Sequence, residues 1–184
     1  TYAYQMGSTV IVAAGNDGLD RYNLSEYGPG ASSLTVLPAD GPNVIQISAT
    51  APFGWALDPE NTFLDNPTYY TNYGKSAIDF AAPGGTIEYP GNEVCAVAGI
   101  VAPCFAFDLV WSTISGGWGF AQGTSMATPH AAGVAALIIG KNGGSMKPAQ
   151  VISALQRSAD DLGKPGKDDY YGKGRVNAYK AVSQ

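Results

Sequence analysis

Residues 122–134 read QGTSMATPHAAGV, and their reading decides that of the whole chain. Ser125 stands two positions after Gly123 and ahead of a run of small residues; His130, the chain's single histidine, follows five positions later. A hydroxyl is a weak nucleophile at neutral pH. It needs a base beside it and donors for the oxyanion that forms. A serine at a helix start lies near free backbone N–H groups and the positive end of the helix dipole. Gly123 would let a substrate backbone come close, and Pro129 fits in or next to the first turn. Spacing alone favours a plain capping serine over a catalytic one.

His130 is expected not to serve as the base. Five residues turn a helix by about 500°, which leaves the two side chains about 140° apart and about 7.5 Å along the axis. The imidazole is expected instead to fill a half-buried site with a satisfied hydrogen bond. A catalytic Ser125 would therefore take its base from elsewhere.

Around this segment the pattern is that of an α/β domain. STVIVAAGN (8–16) is an apolar run ending in a loop, expected as a fully buried parallel strand. NVIQISAT (43–50) and IDFAAPGG (78–85) are expected as the second and third strands. Residues 17–36 and 51–74 read as loops, and 86–121 as a hairpin or an insertion. A helix is expected from near Ser125, with Val134, Leu137 and Ile138 on one face, Ala131 and Gly133 permitting close packing, and Gly143 and Gly144 ending it. Pro148 opens a second helix with Val151, Ile152 and Leu155 facing the core, and Asn177 caps a short last one.

The 184 residues are 45% apolar, enough for one domain with a core. Charged residues make up 14% and the net charge is −5, which disfavours a nucleic-acid binder, and the apolar content disfavours a disordered chain. The longest apolar stretch, 94–107, is broken by Gly99 and Pro103 and is too short to span a bilayer.

GTSMATPHAAGVAAL (123–137) closely resembles the nucleophile segment of subtilisin-like serine proteases, peptidase family S8. VIVAAGNDG (10–18) is similar to the family segment whose asparagine donates its side-chain amide to the oxyanion. NVIQISAT, IDFAAPG and YYGKGRVNAYKAV are weaker matches in the expected order, and loops 19–34, 51–70 and 86–118 differ. The resemblance implies a three-layer subtilisin-like fold with a mostly parallel sheet, of which this chain is the C-terminal portion. It implies a serine endopeptidase with Ser125 as nucleophile and the Ser125 N–H and Asn16 amide as the oxyanion site. Ala13, Ala14 and Gly15 would line a substrate pocket, with Gly123 and Thr124 beside it.

The family's catalytic aspartate and histidine precede these segments in chain order and match nothing here. They are expected on an upstream segment, the implied partner, together with polypeptide substrates and a family-type propeptide. The strand at 8–14 is expected to lie inside the sheet, so that residues 1–184 alone would be inactive and would expose an edge and apolar surface. No cofactor is required for the chemistry. Family members often bind structural calcium, and Asp79 lies where some carry a cation-binding aspartate, but one carboxylate does not make a site. Export, which the resemblance implies, favours a Cys95–Cys104 disulfide over two buried thiols. Two other classes remain: a catalytically silent subtilase-like module, and a nucleotide binder using AAGNDG, although G-x-G-x-x-G and a following Lys-Ser/Thr are lacking.

Overall fold

Strand β2 (Val44–Ala51) is the axis of the sheet, and its sequence explains why. Ile45, Ile47 and Ala49 point to one face, Gln46, Ser48 and Thr50 to the other, and all six are buried. In this computed structural model, which describes residues 1–89 and 91–183, β1 (Val10–Ala13) pairs with β2 in parallel, Ala13 opposite Ile47. Two-residue β3 (Asn66–Pro67) pairs antiparallel at the far end of β2. Strand β4 (Phe80–Pro83) lies on β2's other side, again parallel, with Phe80 opposite Ile47. A short helix, α1 (Tyr2–Gln5), precedes β1.

The apolar face of the sheet carries α2 (Thr124–Lys141). Ile45, Ile47, Ala49 and Phe80 meet Ala127, Ala131, Val134 and Ile138 there, and Val151 and Leu155 of α3 (Pro148–Ser158) complete the core. The polar face is covered by loops: Ser48 Oγ donates to the Tyr170 carbonyl, and Thr50 Oγ1 reaches Asp65 at 3.4 Å. The layers of this chain are thus helices, sheet and loops. Gly143 and Gly144 end α2 at φ of 82° and 83°, with the Gly144 N–H on the Ile139 carbonyl. Asn177 caps α4 (Ala178–Ser183) by accepting the Lys180 N–H at 2.8 Å.

Residues 86–121 hold two hairpins. The first pairs β5 (Val94–Val97) with β6 (Ile100–Pro103) around Ala98 and Gly99, both at positive φ, as a tight two-residue hairpin turn requires. The Cys95–Cys104 disulfide closes it, with the Cα atoms 4.9 Å apart. The second pairs β7 (Val110–Ile114) with β8 (Gly117–Ala121) and feeds directly into α2.

The structure corrects several expectations. Strand β1 is short and only Val12 of its four residues is buried, against the fully buried strand expected; among the described residues it pairs on one side alone, which leaves the edge expected of residues 1–184 by themselves. Leu137 is 49% exposed, because Val134, Ala135 and Ile138 take the core side of α2. Gly133 faces outward, and a Cβ there would meet nothing within 4 Å, so it serves no close packing. Pro129 lies a turn deeper than expected because α2 already starts at Thr124.

Candidate active site

Two backbone features bring the site together. Strand β1 ends at Ala13, and the chain turns at Gly15, with φ of 103°, to present Asn16 at the sheet's carboxyl edge. Opposite it, Gly123 at φ of 146° ends the β8 segment and opens α2. Helix α2 has no capping side chain of its own. Instead, Asn16 Oδ1 accepts the Thr124 N–H at 2.9 Å and the Thr124 hydroxyl at 2.8 Å. A backbone N–H can only donate, so the atom facing it must be the amide oxygen. The Asn16 Nδ2 is thereby turned toward Gly123, 3.4 Å from where a Cβ on that glycine would sit.

The Ser125 N–H borders the same small volume, 3.6 Å from that position. The Met126 and Ala127 N–H groups both bond the Gly123 carbonyl and the Thr124 N–H is held by Asn16. Among the described residues, the Ser125 N–H is therefore the spare donor of the first turn. The Ser125 side chain is exposed at the second helical residue, not at the cap itself. Two N–H donors thus border a notch kept open by the absence of a side chain at Gly123, and one of them belongs to the exposed Ser125.

Thr124 is fully buried and does more than flank a substrate. Its hydroxyl also accepts the Gly15 N–H at 3.3 Å, so one oxygen ties the Asn16 loop to the start of α2. Ala14 is buried, and Ala13 and Gly15 are half-buried beside it.

His130 stands apart. Its Nδ1 lies 2.8 Å from the Met126 carbonyl one turn back, the arrangement of a donated bond. The ring is exposed, not half-buried, and lines a groove of about 300 Å³ with Val110, Trp111, Met126 and Pro129. It makes no bond to Ser125.

Two supporting residues were not anticipated. Asn72, fully buried, accepts the Asp17 and Leu19 N–H groups and donates to the Ala14 carbonyl, stapling the turn that carries Asn16. Tyr70 donates to the Gly84 and Gly85 carbonyls, and the Gly84 carbonyl accepts the Gly123 N–H. Burial pushes the Tyr70 phenol up to about 12, so it remains a donor at any working pH. Both lie in a loop of no regular period, and only a buried asparagine or tyrosine with a partner could have marked them.

The profile of the Subtilase family matches residues 1–174. The chain belongs to the subtilase family. It is 32% identical to thermitase of Thermoactinomyces vulgaris over 98% of its length and 46% of the relative's. It is 33% identical to an extracellular protease of Xanthomonas campestris, over 98% of this chain and 24% of that one. Among solved structures it is similar to a lanthipeptide protease (TM-score 0.73, 28% identity, 98% of this chain and 53% of that one). It is also similar to the epidermin leader peptide processing serine protease of Staphylococcus aureus (TM-score 0.74, 26% identity, 98% and 41%). This subtilase sequence spans about half or less of the length of these relatives.

The fold is accordingly that of the subtilisin-like α/β proteases. Among the described residues no helix is long and apolar enough to cross a membrane. Nor do three or more His, Cys, Asp or Glu side chains gather as a metal would need. Asp79, the residue at the family's cation position, has its oxygens committed: one accepts the Gln46 N–H at 3.0 Å, the other lies 3.7 Å from Lys173 Nζ. This donor set does not fit calcium, which takes six or more oxygens.

Proposed function

We propose that this subtilase chain is the nucleophile- and oxyanion-bearing portion of a serine endopeptidase. The observation that carries the reading is the shared notch of Asn16 Nδ2 and the Ser125 N–H beside an exposed serine hydroxyl. In the reaction, Ser125 Oγ bonds to the carbonyl carbon of the scissile peptide and its proton passes to a base. The carbonyl oxygen becomes an oxyanion and is met by the two N–H donors. Collapse of the tetrahedral species breaks the C–N bond and leaves an acyl-enzyme on Ser125, which water then hydrolyses. Ala13, Ala14 and Gly15 form the wall against which the substrate residue before the scissile bond lies, and Gly123 and Thr124 flank the reacting carbonyl.

The base and its orienting carboxylate come from a segment outside these 184 residues, since the chain's only histidine faces another groove. Two surfaces support that partner. Strand β1, which leads to Asn16, has a free edge in this chain. Helix α2 is apolar nearly all round, yet Pro129, Ala132 and Ala136 on the side of Ser125, and Leu137 further round, are exposed. A helix without a polar side belongs in an interior. Export of the protein is supported by the Cys95–Cys104 bridge and the extracellular relative; a propeptide belongs to the same reading by family resemblance.

A serine-directed fluorophosphonate tests the proposal on the complete catalytic domain. Labelling at Ser125, lost in Ser125→Ala, is the expected result. An intact, folded domain that takes no label would make this chain part of a silent subtilase-like module instead.

A further inference from the structure

Beyond Asn16 the chain runs as a long loop, residues 17–41, before it enters β2. The loop closes over a cavity of about 360 Å³ whose lining includes Arg21, Asp40, Gln46, Ser76 and Asp79. Two of these are carboxylates on different segments. Asp40 accepts the Val36 N–H within its own loop, and Asp79 accepts the Gln46 N–H of β2.

The positive charge in this cavity is Arg21. Its side chain is 5% exposed, its Nη2 bonds Asp40, and its backbone N–H bonds the Tyr73 carbonyl at 2.8 Å. Its Nη1 is buried without a partner. A guanidinium cannot shed its charge, so it stays in a poorly solvated site only if the surroundings supply negative charge. A divalent ion entering the same cavity would meet that charge and find both carboxylates already engaged.

We propose that Arg21 is a built-in substitute for a structural cation: its guanidinium, not a metal ion, supplies the positive charge of the cavity that Asp40 and Asp79 line, and through Asp40 it ties the two ends of loop 17–41 together. The proposal rests on this chain's own residues and is independent of the catalytic reading. It predicts that the cavity becomes a cation site only when the guanidinium is removed. Arg21→Met keeps much of the apolar volume of the stem and leaves Asp40 without its counter-charge, while Asp79 keeps Lys173 3.7 Å away.

The test measures the melting temperature of the complete protein in chelator and in millimolar calcium. The variants are Arg21→Met, Asp79→Asn and the two combined. Elsewhere in the protein, calcium may act as it will; only the changes between variants are read. Arg21→Met should melt several degrees lower in chelator and recover part of that loss in calcium, as ligand linkage requires of a new site. The recovery should vanish in the double variant. Asp79→Asn alone should leave the parent's calcium response unchanged. A reduced calcium response in Asp79→Asn would place a metal at Asp79 and overturn the proposal. So would an Arg21→Met protein whose calcium response equals the parent's. Should Arg21→Met fail to fold in both solutions, the Asp79→Asn arm decides alone.

Discussion

Thr124 gives Asn16 both of its donors, and Asn16 in return caps the helix that Thr124 begins. The proposed oxyanion donor and the helix of the proposed nucleophile are thereby one mechanical unit: the amide cannot rotate without breaking two bonds and uncapping α2. Preorganisation of this kind is what gives an oxyanion donor its effect, since a donor that must turn toward the charge loses much of its advantage.

Removing the donor and loosening it should therefore be distinguishable. In the complete protein, Asn16→Ala should lower kcat by about 100- to 1000-fold with KM little changed, the loss typical of this donor in subtilisin. Thr124→Val retains the shape but not the hydroxyl, removing one of the two donors that hold the Asn16 amide and leaving the Gly15 N–H without its acceptor. Its kcat should fall by about 10-fold and its stability by about 1–3 kcal/mol, and Thr124→Ser should restore both. A Thr124→Val enzyme with only KM altered would remove Thr124 from this role.

His130 makes the opposite case. Its Nδ1 bonds the Met126 carbonyl within its own helix and its ring is exposed. His130→Ala should leave the pH–rate profile of the complete enzyme in place and change stability by no more than about 0.5–1 kcal/mol. Loss of the basic limb of catalysis in this variant would show that the helix-geometry argument fails.

Much of this site was legible in the sequence because its parts are local. Ser125 and Gly123 lie in one short segment, Asn16 ends an apolar run, and both backbone turns carry glycine for positive φ. The three strands were legible as apolar runs, β1 as a parallel one, while the mostly parallel sheet was implied by the family resemblance; the structure pairs β1 and β4 with β2 in parallel. What the sequence withheld is tertiary. The partners of Asn72 and Tyr70 lie far along the chain, so no spacing rule points to them. Leu137 and Gly133 were placed in the core because α2 is apolar on every side, and a pattern without a polar face does not say which side is covered. The double hairpin of 94–121 hid behind an apolar, glycine-rich composition that fits several local structures.

The closed hairpin gives a stability test. The disulfide joins residues nine apart, and closing a loop of that size contributes about 2–3 kcal/mol in the chain-entropy account. Replacing Cys95 and Cys104 by serine should lower stability by that amount and expose 94–103 to proteolysis. An unchanged melting temperature would mean that the hairpin unfolds separately from the core.

Asp160 sets the acid side of stability. Burial raises its carboxyl, but the Lys180 and Asn177 hydrogen bonds and the charges of Arg175 and Lys180 outweigh that and hold it below the usual carboxylate range. Its folded value thus lies under its unfolded one. The stability it contributes is complete above the unfolded value, about pH 4, and is lost as pH falls through the folded value. Asp160→Asn should be less stable than the parent near neutrality, with the difference shrinking in acid. A difference that is the same at pH 3 and pH 7 would show that packing, not charge, is at stake.

The exposed side of α2 gives the last test, on residues 1–184 by themselves. Pro129, Ala132, Ala136 and Leu137 present exposed apolar surface on α2, and the free edge of β1 offers unpaired backbone groups. Such surfaces associate when left uncovered. Sedimentation velocity on this chain alone should show self-association, reduced by Leu137→Lys, since a charge on that surface makes burial there costly. Adding the segment that carries the base should compete with self-association for the same face. A parent chain that sediments as a monodisperse monomer and melts cooperatively would show that neither surface requires a partner, and would remove the support they lend to an upstream half docking beside the nucleophile.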